Sequence, residues 1–98
     1  MQSPPEILNG ARVLHFASLA KSQPTGKTRH VVDGVEVKQF AALAIVRYDE
    51  EPQCVSVYYC DPCWNVITDT WHEDVTAAID QANFEFGLLQ FREVAPAE

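Results

Sequence analysis

The chain has 98 residues, of which 47% are hydrophobic and 21% charged. Both the length and the composition are ordinary for one globular domain, so we expect a single domain over residues 1–98. Acidic residues outnumber basic ones by 14 to 7, and the formal charge of −7 argues against nucleic acid and anionic membrane surfaces as partners. We therefore expect a protein partner or self-association, most simply as a homodimer.

The sequence also favours a soluble protein of the cytoplasm. Its longest apolar run, residues 40–46, has the length of a strand and falls far short of the roughly 20 residues that span a bilayer. Its first residues lack the basic and apolar stretches of a secretory signal. The three cysteines, Cys54, Cys60 and Cys63, are an odd number, which suits a reducing compartment where all of them stay thiols.

The first third of the chain predicts an arm, a strand and a loop. Prolines, an asparagine and a glycine in residues 1–10 indicate an irregular arm, and alternating apolar side chains over residues 12–20 predict a strand. The following loop contains Gly26-Lys27-Thr28, which is similar to the end of a phosphate-binding loop. Because Lys21 stands where that motif needs a glycine, we predict a solvated loop and no nucleotide site.

The middle of the chain predicts antiparallel strands joined by tight turns. Asp33-Gly34 favours the positive backbone angles of a two-residue hairpin turn between residues 29–32 and 35–38. The second arm of this hairpin is expected to continue, with a bend near Gln39, into the next strand. A turn is expected at Asp61-Pro62. Further strands are predicted over residues 41–48, 53–60 and 64–69.

The hydrophobic period changes to that of a helix at Glu73. Apolar residues then recur at helical spacing, namely Val75, Ala78, Ile79, Ala82 and Phe86. This pattern predicts a helix over residues 73–86, with Glu73 and Asp74 in its first turn and Gly87 as its C-terminal cap. A short strand within residues 88–94 and a frayed end at 95–98 complete the chain.

These elements predict an α+β fold, with a mainly antiparallel sheet of about five strands and one C-terminal amphipathic helix packed on one face. A single helix covers only one face of such a sheet. The other face must therefore be polar, covered by the arms, or buried in a partner, and the last possibility would be met by a homodimer.

Cys60-Asp61-Pro62-Cys63 has the spacing of thiolate pairs that hold zinc or form a redox disulfide. Structural zinc takes four ligands, and the remaining candidates, Cys54, His15, His30 and His72, form no second matched pair. A redox pair would sit at a helix N-terminus, whereas this pair straddles a predicted turn. We therefore expect no cofactor and no metal, and keep a metal- or redox-linked protein using Cys60 and Cys63 as the alternative function.

No motif for catalysis is present in the sequence. His72-Glu73 lacks the second histidine of a metalloprotease helix, because Thr76 stands in its place. No serine or cysteine has a base partner in a recognisable motif. We therefore predict no catalytic residue and expect a non-enzymatic protein.

Acidic and aromatic residues around the predicted helix form the best candidate for an interaction surface. The candidate interaction residues are Trp64, Trp71, His72, Glu73 and Asp74. Aromatic side chains anchor interfaces, and acidic ones steer a basic partner. The leading hypothesis is a small acidic protein-interaction domain that acts like an immunity protein or a regulator.

Several short blocks of the sequence resemble a set of small uncharacterised bacterial proteins. The blocks are Tyr58-Tyr59-Cys60-Asp61, Trp64-Asn65, Asp69-Thr70-Trp71-His72, Gln81-Ala82-x-Phe84-Glu85-Phe86, and the opening stretch from Ile7 to Leu14. The last helical block is the most specific of them. The resemblance implies no activity, so it assigns no functional residue.

Overall fold

A computed structural model describes residues 3–19, 30–37, 40–87 and 89–94 of the chain. These residues form a curled antiparallel sheet with a single helix packed against it, so the predicted α+β class is confirmed. The elements in chain order are β1 (Ile7–Leu8), β2 (Ala11–Ser18), β3 (His30–Val32), β4 (Val35–Val37), β5 (Ala42–Arg47), β6 (Val55–Cys60), β7 (Val66–His72), α1 (Val75–Phe86) and β8 (Arg92–Glu93).

The main sheet has the strand order β1-β2-β5-β6-β7, and β8 also pairs with β2. Every pair of neighbouring strands is antiparallel. Strands β3 and β4 form a separate two-stranded sheet, which we call the small hairpin. Its turn is the predicted one: Asp33 and Gly34 both have positive φ, 51° and 79°, as a two-residue turn that follows the strand twist requires.

The helix begins two residues later than predicted because Asp74 is its N-cap. The Asp74 carboxylate accepts a hydrogen bond of 2.8 Å from the Ala77 amide, which satisfies one of the unpaired N–H groups of the first turn. The helix ends as predicted at Gly87, which has a φ of 79° and donates its amide to the Asn83 carbonyl.

Both faces of the main sheet are buried within the chain. Successive residues of β6 point to opposite faces, so Tyr58 and Tyr59 enter different clusters although both are buried. The helix-side cluster contains Leu19, Leu43, Ile45, Val55, Val57, Tyr59, Ala78, Ala82 and Phe86. The arm-side cluster contains Leu8, Ala11, Val13, Ala42, Ala44, Val46, Tyr58, Cys60 and Trp64.

The N-terminal arm differs from expectation because it contains strand β1, whose Leu8 is buried in the arm-side cluster. The arm therefore helps to cover the face that the helix leaves open.

Three predicted features lie outside the described residues, namely Gly26-Lys27-Thr28, the bend at Gln39 and the frayed end at 95–98. Among the described residues, no helix is long and apolar enough to cross a membrane.

Candidate functional site

Strand pairing brings two acidic segments that are distant in sequence to the same end of the main sheet. The turn after β5 contains Asp49, Glu50 and Glu51, and the segment after β7 contains Glu73 and Asp74. In the register of the sheet, Val46 pairs with Ser56, and Val55 pairs with His72, so both segments leave the sheet at one end. We call these five residues the acidic end.

All five side chains of the acidic end are exposed to solvent. Like charges gathered at one end of a small protein create a negative potential that attracts cationic groups and is screened by salt. Trp71 lies on β7 just before this end, and 60% of its surface is exposed. A charged surface with an exposed tryptophan beside it has the features of a protein-binding surface.

Four of the five candidate interaction residues lie at the end of β7 and the start of the helix, and the fifth lies elsewhere. Trp71, His72, Glu73 and Asp74 are consecutive and lead from β7 into the helix. Trp64 is only 7% exposed and packs in the arm-side cluster, where its ring meets Phe16 edge-on at a centroid distance of 6.0 Å. Trp64 therefore stabilises the core and is not part of the acidic end.

The turn after β6 has a structural role that explains the position of Trp64. One carboxylate oxygen of Asp61 accepts hydrogen bonds from the amides of Cys63 and Asn65, at 2.8 and 2.9 Å. The hydrogen bonds from Asn65 and Cys63 lower the pKa of Asp61, so the carboxylate stays charged. This turn holds Trp64 at a φ of 63°, in the left-handed region that a bulky side chain rarely adopts, and thereby directs its ring into the core.

The cysteines lie in different environments. Cys60 is buried, and burial, with a smaller effect of Asp61, raises the pKa of its thiol to about 12, whereas Cys63 is exposed. Cys54 is at the other end of β6, where its thiol lies 3.3 Å from the Glu51 carboxylate. All three are free thiols, and no group of three or more metal-ligating side chains occurs among the described residues. A thiol that resists ionisation is a poor nucleophile, so this environment does not favour the redox alternative.

A polar network that we did not predict from the sequence is buried between the helix, the sheet and the small hairpin. At its centre is Glu85 of α1, which is 4% exposed. Its carboxylate accepts hydrogen bonds from the Tyr59 hydroxyl at 2.5 Å and from the Gln81 amide at 3.2 Å. The other carboxylate oxygen lies 2.7 Å from Nε2 of His30 on β3. Burial and the bond to Glu85 raise the pKa of Tyr59, so the phenol stays protonated and donates.

The network attaches the small hairpin to the rest of the molecule. His30 has a side chain only 11% exposed, and its ring lies 4.3 Å from that of Tyr59 and 5.3 Å from that of Phe40, measured between centroids. A buried carboxylate must have hydrogen-bond donors to be tolerated. Glu85 therefore requires a hydrogen-bond donor at this position, such as His30. This requirement holds the small hairpin against the rest of the molecule.

His72 forms a second part of the buried polar region. Its Nε2 lies 2.8 Å from the hydroxyl of Thr70 on the same strand. Burial lowers the pKa of His72, and the negative charge of Glu85 partly opposes this shift. His72 is therefore a half-buried side chain whose protonation is disfavoured, whereas Glu73 and Asp74 extend into solvent.

The sequence did contain a signal for the buried carboxylate. Glu85 lies seven residues after Ala78 and three after Ala82, which is the spacing of the apolar stripe that packs on the sheet. An acidic residue on that stripe predicts a buried charge with partners. The partners themselves come from β6 and β3, and only long-range pairing places them there.

Comparisons with protein-family models, curated proteins and solved structures find no match to this chain. The resemblance to small bacterial proteins therefore stays a prediction.

Proposed function

We propose that this protein is a non-enzymatic interaction domain that binds a basic segment of a protein partner at the acidic end. The observation that carries the proposal is the strand register, which gathers Asp49, Glu50, Glu51, Glu73 and Asp74 at one end of the sheet. Exposed carboxylates attract a cationic surface over several ångströms and increase its rate of association. An immunity-like or regulator-like role fits this mode of binding.

Trp71 supplies the apolar anchor of the proposed interface. Charge steering accelerates encounter, but the affinity of most interfaces depends on a few large, desolvated side chains. Trp71 is 60% exposed and follows Asp69 and Thr70 on β7, which is an edge strand of the main sheet. Arginine side chains of a basic partner would stack on the indole and pair with the nearby carboxylates.

The test is quantitative affinity purification from the native host with the wild-type protein and three variants. Glu50→Lys reverses a charge at the acidic end, and Trp71→Ala removes the anchor. Glu36→Lys is the matched control, because Glu36 is also an exposed glutamate but lies on the small hairpin. We expect a basic protein that is retained by the wild type and by Glu36→Lys and is depleted for the other two variants.

Salt supplies a second readout of the same experiment. Exposed charge pairs are screened at high ionic strength, so the partner should be eluted by salt from the wild type. Retention of the same proteins by all four forms, or a partner that is acidic and insensitive to salt, would refute the proposal.

A further inference from the structure

A groove lies beside the start of the helix and strand β2 of the main sheet. It encloses about 340 Å³ and is lined by Arg12 and His15 of β2, Arg47 of β5, Val75 of α1, Glu6 and Glu93. This volume is at the lower end of the range of small-molecule sites. None of these residues belongs to the acidic end or to the buried polar network.

Two arginines face each other in this groove. Arg12 and Arg47 are directly opposite across β2 and β5, an arrangement that is destabilising for like charges. In the part of the chain that the structure describes, neither forms an ion pair. Nε of Arg47 is buried and has no hydrogen-bond acceptor among the residues that the structure describes. Buried donors are normally paired, so the Arg47 guanidinium has unused hydrogen-bonding capacity beside the groove.

The charges that line the groove restrict the ligand. Two guanidinium groups present parallel N–H donors that match the oxygens of a carboxylate or phosphate. Glu93 also lines the groove, and its carboxylate repels a dianion more strongly than a monoanion. A ligand with one carboxylate satisfies the arginines at the smallest repulsive cost.

We infer that this groove binds a small molecule through a single carboxylate group held between Arg12 and Arg47. The inference is independent of the proposed function, because it uses none of the residues of the acidic end. His15 and Val75 form the neighbouring walls, and they limit the rest of the ligand to a small group with both polar and apolar atoms.

The test is an NMR titration of the isotope-labelled protein with two closely matched probes. N-acetylalanine carries one carboxylate, and N-acetylalanine amide replaces it with an uncharged carboxamide. We expect saturable amide shifts around Arg12, His15 and Glu93 with the acid and none with the amide. Inorganic phosphate is the third probe and should bind more weakly than the acid.

Two variants and a control locate the binding. Arg47→Gln and Arg12→Gln should each weaken binding of N-acetylalanine by about tenfold, because each removes one charge-assisted donor pair. Arg12 is exposed, so its variant keeps the test valid if Arg47→Gln does not fold. Arg92→Gln removes the same charge from β8 outside the groove and should bind as the wild type does. Equal weakening by Arg92→Gln, equal binding of the amide, or tighter binding of phosphate would each overturn the inference.

Discussion

Adjacent tyrosines of β6 differ in the partner that each hydroxyl meets. Tyr59 donates to the buried carboxylate of Glu85, whereas Tyr58 pairs with the neutral hydroxyl of Tyr48. We predict that Tyr59→Phe lowers the free energy of unfolding by about 1–3 kcal/mol, because it leaves a buried charge short of a donor. Tyr58→Phe should cost only about 0.5–1.5 kcal/mol, the usual net value of a neutral hydrogen bond.

Urea unfolding of the two variants measures this difference directly. Tyr58 and Tyr59 are 2% and 0% exposed, and each substitution removes the same hydroxyl, so the volume removed is matched. An equal cost for both, or a larger cost for Tyr58→Phe, would mean that Glu85 does not depend on Tyr59.

The lowered pKa of His72 makes stability depend on pH in a definite direction. Burial disfavours the charged imidazole, so the folded protein takes up this proton at a lower pH than the unfolded chain, whose histidine has its ordinary value of 6.5. Below about pH 6.5 the unfolded state therefore binds more protons than the folded state. His72 thus makes the stability of the protein decrease as the pH is lowered. His72→Gln should reduce that fall in denaturation curves between about pH 7 and 5. An NMR titration that gave His72 a pKa at or above 6.5 would contradict the prediction.

At the scale of elements, two neighbouring acidic residues at the helix N-terminus contribute differently to the stability of the protein. Asp74 accepts the Ala77 amide as N-cap, and Glu73 is exposed one residue earlier. We predict that Asp74→Ala destabilises the protein by about 1 kcal/mol, because it removes a capping bond. Glu73→Ala removes the same charge from the same end and should cost less than half as much in urea unfolding. Similar costs would show that charge near the helix dipole, and not the cap, is what matters.

Local signals in the sequence predicted the elements well, because their causes are local. The Asp33-Gly34 turn, the cap at Gly87 and the apolar stripe of the helix each depend on residues within a few positions of one another. The helix start was misplaced by two residues because Asp74 caps the helix instead of continuing it. The separate sheet of the small hairpin was missed, because strand pairing beyond the hairpin depends on distant residues.

The candidate sites were much less predictable for the same reason. The sequence contains acidic residues near 50 and 73, but only the β5–β6–β7 register places them together. No local pattern distinguishes Trp64 from Trp71 in the sequence. Trp64 is buried and Trp71 is exposed because the turn at Asp61 directs the Trp64 ring into the core. The Arg12–Arg47 pair depends on a register of β2 that contains a bulge between Val13 and His15, which no local pattern specifies.

At the scale of the molecule, the curled sheet covers its own second face. Ala42, Ala44 and Val46 are fully buried there, under side chains that include Leu8 of the arm and Trp64 of the β6–β7 turn. One reason to predict a homodimer from the sequence is that a single helix covers only one face of the sheet. That reason for self-association is absent from the described residues, and the homodimer stays a prediction without it.

Because one sheet lies between the two clusters, the whole domain should unfold in a single step. Each strand of the sheet centre contributes alternately to both clusters, as Tyr58 and Tyr59 do, so neither cluster can lose its packing while the other keeps it. The chain has two tryptophans, and Trp71→Phe leaves Trp64 as the fluorescent reporter of the arm-side cluster. Far-UV circular dichroism reports α1, which covers the helix-side cluster. We predict coincident urea transitions by the two probes, as cooperative two-state unfolding requires, whereas separated midpoints would mean that the arm-side cluster unfolds independently.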